Sequence, residues 1–185
     1  MSDDTRRAEE DEIAQEEAPP EIRADHPNPR IREVAEQDTG SAIAVAGHPI
    51  HAMMVHFPIA FIIATLGIDI FYWYTADQFW VAVGTWSAGA AFAFGVFAAL
   101  AGTLELLAVP GIRVRVASWN HAVAAMVLLA IAAANAGLRI NFPEQILPAG
   151  LMLSVLASMA TAFASWHGGK LVFDHGVGLI ISTRQ

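Results

Sequence analysis

The thirty residues FWVAVGTWSAGAAFAFGVFAALAGTLELLA, positions 79–108, carry a single charge, Glu105. No side of this stretch offers water a polar face, so it cannot be a surface helix of a soluble bundle. At 1.5 Å per residue it crosses about 30 Å of hydrocarbon with length left over for tilt. Three further apolar stretches accompany it, at about 52–74, 118–138 and 146–167. The links are short: Asp77 lies in the first, Pro110–Arg115 in the second and Arg139–Pro143 in the third. Short links make consecutive helices antiparallel neighbours. The sequence therefore predicts an all-α fold, a four-transmembrane-helix up-down-up-down bundle over residues 45–182.

Charge is unevenly distributed. Residues 1–40 hold 13 acids and five arginines, whereas residues 41–185 hold five acids and five bases, so the net charge of −8 belongs to the leading segment. That segment is rich in proline and poor in large apolar residues, and cannot bury enough surface to offset its ordering entropy. Residues 1–44 are expected to form a disordered acidic cytoplasmic tail. No basic face of the kind a nucleic-acid binder needs is present. The absence of cysteine excludes disulfides, thiolate catalysis, zinc sites with sulfur ligands and cysteine-held iron–sulfur clusters. No basic start followed by a short apolar core marks a cleavable leader, and the first apolar stretch is expected to direct insertion itself.

Orientation follows from the basic residues. Arg113, Arg115, Lys170 and Arg184 fall on the side of both termini, against Arg139 alone on the other. The positive-inside rule then places both termini in the cytoplasm, in a bacterial inner membrane. Small residues recur along single helical faces: Gly84, Ala88, Ala91, Gly95, Ala98 and Gly102 in the second span, and Ser154, Ser158, Thr161 and Ser165 in the fourth. Such tracks let helices approach closely in lipid, or leave room for a flat cofactor.

Six of the seven histidines gather towards one leaflet. His48, His51 and His56 lie at the start of the first span, His121 at the start of the third, and His167 and His175 at or beyond the end of the fourth. Imidazole at membrane depth is costly without a partner. At 100° per residue His48, His51 and His56 cannot share one narrow helix face. Pro58 removes the backbone bond to the carbonyl of Met54 and loosens that turn. Gly168-Gly169 is expected to end the fourth helix and let the following apolar run fold back over the bundle mouth.

The opening motif Gly47-His48-Pro49-Ile50-His51, continuing as Met54-Val55-His56-Phe57-Pro58-Ile59-Ala60, has a counterpart in the closing Gly168-Gly169-Lys170-Leu171-Val172-Phe173-Asp174-His175-Gly176-Val177-Gly178. Together they resemble the bacterial membrane family catalogued as domain of unknown function 2231, over about residues 45–182. The sequence departs from that family's pattern at Ala52, where a second His-Pro proline is common. The resemblance implies a four-helix integral membrane protein and supplies no established activity.

Three functional readings stay open. The first is a b-type haem protein in electron transfer, with one bis-histidine site near the cytoplasmic face. His56 and His121 are its ligands, since spans one and three run the same way from the same side. His167 is the alternate partner, and Arg113, Arg115 or Lys170 would meet the haem propionates. Electrons would pass to a quinone or a redox partner protein near that face. The far half of every helix lacks histidine, which excludes a second bis-histidine haem. The second reading is a transition-metal site of His48, His51, His175 and Glu105, with Asp174 nearby. The third is a non-enzymatic membrane scaffold or accessory subunit, contacting the lipid bilayer and no nucleic acid. No nucleophile elbow, paired carboxylates or phosphate-cradling loop suggests an enzyme acting by itself.

Overall fold

The computed structural model describes residues 29, 39–46 and 48–178. The acidic segment ahead of residue 39, apart from Pro29, lies outside the described residues. A short hairpin, β1 (Ala44–Val45) with β2 (His48–Pro49), leads into α1 (Ile50–Met54) and α2 (His56–Thr75). Then come α3 (Gln78–Ala108), α4 (Pro110–Arg113) and α5 (Val116–Asn141). A 3-10 turn (Pro143–Gln145) and a π turn (Ile146–Gly150) precede α6 (Leu151–His175).

Four helical segments are long and apolar enough to cross a membrane: Ile50–Thr75, Gln78–Ala108, Val116–Asn141 and Pro143–His175. Each packs on its sequence neighbour, and the fourth returns to the first, so spans one and three lie on one diagonal and spans two and four on the other. The protein is a four-span membrane bundle. Its interior is made of small residues, among them Ala88, Ala91, Ala98, Ala132, Ala157 and Ala164, while Trp86, Phe97, Leu100, Met126 and Phe163 point outward. That inversion suits lipid, where small side chains bring helices together and large apolar ones meet acyl chains.

Local chemistry sets the breaks. Pro58 has no N–H for the Met54 carbonyl, and the first span is divided at Val55. The first link is two residues long. Ala76 adopts the left-handed conformation at φ 54°, and the Asp77 carboxylate accepts the Phe79 N–H at 2.9 Å to cap α3.

Two expectations need correction. The fourth helix does not stop at Gly168-Gly169 but runs on to His175 and ends at Gly176, whose φ is +63°. Gly168 is a close-approach residue instead, since a Cβ there would lie 3.0 Å from the His121 ring. Residues 39–44 are also not part of a loose tail. Thr39 and Ser41 are buried, and the Glu105 carboxylate accepts the N–H groups of Ala42 (2.9 Å) and Ile43 (3.0 Å). Gly178 N–H donates to the Thr39 carbonyl at 3.0 Å, which ties this strap to the end of span four.

Glu105 is thus the anchor of a strap over the bundle mouth. Glu105→Ala leaves two part-buried N–H groups without their charged acceptor, at a cost of about 1–3 kcal/mol. Hydrogen exchange at residues 39–46 is expected to speed up at least about tenfold while the four spans stay protected. Unchanged exchange there would show that the carboxylate does not hold the strap.

Candidate functional site

Between the four spans lies a cavity of about 400 Å³, within the range of cofactor and small-ligand sites. Its upper wall includes Ser41, Pro49, Glu105, Val177 and Gly178 at the mouth, and its floor reaches Ile62, Ala91 and Ala132. Ile62 is eleven residues past His51, so the cavity runs about 16 Å down the bundle. The wall is otherwise almost wholly apolar. The two exceptions that carry chemistry are His51 and His121.

These two rings come from diagonal spans and meet with centres 6.2 Å apart and planes at 75°. Each is fixed by the same device. His51 Nδ1 lies 2.8 Å from the Ala98 carbonyl, and His121 Nδ1 lies 3.1 Å from the Ala164 carbonyl. A carbonyl only accepts, so both rings carry hydrogen on Nδ1 and present an unprotonated Nε2 when neutral. Each ring also rests on a glycine one turn beyond that carbonyl. A Cβ on Gly102 would come within 2.7 Å of His51 Nδ1, and one on Gly168 within 3.0 Å of His121 Cε1. Gly102→Ala and Gly168→Ala are therefore expected to displace their rings with no loss of membrane insertion. The check is whatever signal reports ligation at the pair, which should weaken in both variants and be unchanged in Gly89→Ala, where nothing lies within 4 Å.

Apart from Glu105 at the mouth, the other predicted site residues lie outside the cavity. His56 is exposed and turns its Nδ1 to the Met53 carbonyl of α1, in the same span, 3.2 Å away. Five residues separate it from His51, or about 140° around a helix, so one ring inside puts the other outside. His167 likewise bonds within its own helix, to the Phe163 carbonyl at 3.0 Å, and lies against the Phe163 ring. His48 is exposed with Nδ1 on the Ala46 carbonyl. His175 is half-buried in the last turn of α6. His48, His51, His175 and Glu105 do not converge: among the described residues no group of three or more His, Asp or Glu side chains is placed to hold a metal ion. Arg113 and Lys170 are exposed, Arg115 donates Nε to the Gly111 carbonyl, and none of the three lines the cavity.

Residues 47–180 match the family described as predicted membrane protein, DUF2231. The chain belongs to the DUF2231 family. No curated protein and no solved structure matches it. Within this DUF2231 chain the matched region takes in all four spans, both histidines of the pair and the closing glycines.

The bundle also holds a second polar cluster, deep on the opposite side. Asp69 and Arg139 form an ion pair with side chains 1% and 0% exposed. Arg139 Nε donates to Asn135 Oδ1 at 2.8 Å, and Ser154 donates to the Asp69 carboxylate at 2.6 Å. Gly84 gives the guanidinium its space, since a Cβ there would lie 2.7 Å from Nη1. Arg139, read from the sequence as the lone base of the third link, is instead a buried residue of α5. Charges at this depth persist only when paired.

Proposed function

We propose that this DUF2231 protein holds one b-type haem between His51 and His121 and serves as a one-electron carrier. The observation that supports it is the histidine pair itself. Two imidazoles could hold one iron only from rings that stand close together across a site, each with Nδ1 already bonded and Nε2 left over. The pair stands with ring centres 6.2 Å apart. His51 replaces His56 as the partner of His121 in this reading.

The chain's own residues do four things at such a site. The Ala98 and Ala164 carbonyls hold both rings in one tautomer and leave Nε2 to act as the ligand. Gly102 and Gly168 let the rings sit against neighbouring helices. Ile59, Ile62, Leu128 and Leu129 exclude water from the deep part of the pocket. The strap carrying Ser41 covers the mouth. Haem, when bound, supplies a reversible ferric–ferrous couple. With the pair near one end of the bundle, electrons enter and leave on one face, to a quinone or a redox partner protein.

Arg113, Arg115 and Lys170 lie on the side of the termini, while Arg139 is neutralised inside the bundle. This supports an inner-membrane protein with both termini cytoplasmic. The test is a reduced-minus-oxidised spectrum of the protein purified from haem-replete cells. A b-type signal is expected; a colourless, folded preparation would overturn the haem reading and leave the scaffold alternative.

A further inference from the structure

The two polar clusters are built from matching positions, and the match extends along the whole bundle. His121 lies 70 residues after His51. The same interval separates Asn135 from Thr65 and Arg139 from Asp69. Between 51–70 and 121–140 it also pairs Ala52 with Ala122, Gly67 with Gly137 and Ile70 with Ile140. In the partner helices the interval is 66. It pairs Gly84 with Gly150, Ala91 with Ala157, Ala98 with Ala164 and Gly102 with Gly168.

The equivalence is one of contacts as well as letters. His51 bonds Ala98 and rests on Gly102, as His121 bonds Ala164 and rests on Gly168. Thr65 donates to Ser87 and Asn135 to Ser154, both at 2.9 Å, although the two serines lie one residue off the interval of 66. Gly84 and Gly150 both face the guanidinium of Arg139. The difference of four residues between the two intervals is about one helical turn, so the inward faces stay in phase.

We infer that the chain is two copies of one helical hairpin, spans one–two and spans three–four, packed about a two-fold axis along the bundle, with Asp69 and Arg139 as the residues that make the copies unlike. Equivalent positions meet each other at such an axis. Identical hairpins would set two carboxylates or two guanidiniums together in a dry interior, which is prohibitive. Opposite charges at the one equivalent pair favour hairpin one with hairpin two and penalise either with its own kind. The axis also passes between His51 and His121, so the cavity is built of two matching walls. This inference does not depend on what the histidine pair holds.

The experiment is a charge exchange in the full chain, read by size-exclusion profile and thermal midpoint in detergent. Asp69→Arg and Arg139→Asp alone are each expected to deplete the folded, monodisperse peak about tenfold or more. The double exchange D69R/R139D should restore it, because Arg at position 69 has Thr65 one turn back as Arg139 has Asn135, and Gly84 and Gly150 leave room at the pair. A second variant, T65N/D69R/N135T/R139D, moves more of the cluster across and should recover at least as well. Recovery in either exchange supports the duplicated hairpin. Failure of both, or single variants as stable as the parent, would overturn it.

Discussion

Replacing either His51 or His121 by alanine is expected to abolish the whole of a b-type difference spectrum. Neither loss should be partial, because the pocket holds each ring by one Nδ1–carbonyl bond and one glycine contact, and a haem that needs both rings would be poorly retained by one. His56→Ala and His167→Ala are the controls. Both rings bond only carbonyls of their own helical segment and lie outside the cavity, so the spectrum should keep its intensity and peak positions. Loss of signal in His56→Ala with retention in His51→Ala would restore the pairing first read from the sequence. Membrane insertion should be unaffected throughout, since span hydropathy does not rest on these residues.

Breaking the Asp69–Arg139 pair should have the largest effect on stability. Removing one partner leaves an uncompensated buried charge, at a cost of about 3–5 kcal/mol. Arg139→Met should therefore unfold a large share of the protein in mild detergent. Asp69→Leu combined with Arg139→Met should recover most of the loss, because two well-packed apolar groups carry no desolvation penalty. A double variant as unstable as the single one would show that Asn135 and Ser154, left without Arg139 and Asp69, dominate the energetics.

The four spans were legible because hydropathy over twenty or more residues leaves no competing fold. That the histidines gather at one end of the bundle was legible too, from antiparallel connectivity alone. Which ring faces inward was not. It depends on the phase of a helix interrupted at Val55, and depth arguments are blind to phase. The signal available was angular: His51 and His56 sit about 140° apart, so choosing one excludes the other. Gly168 looked like a helix terminator because glycine serves both ends and close approaches, and only the His121 ring beside it decides between them. Arg139 looked like a loop base because its partner lies 70 residues away. The spacing itself was in the sequence, since His-Ala recurs 70 residues on with Gly-Ile-Asp-Ile answered by Gly-Leu-Arg-Ile.

The cavity ends at Ile62, Ala91 and Ala132, and against the same residues a void of about 10 Å³ lies beside the Thr65 and Asn135 side chains. Such a void admits about one water molecule, not a file of them. The lower bundle is in effect a dielectric stopper, closed by alanine and sealed with a neutralised ion pair. Whatever occupies the cavity is then reached from one end of the bundle and insulated from the other.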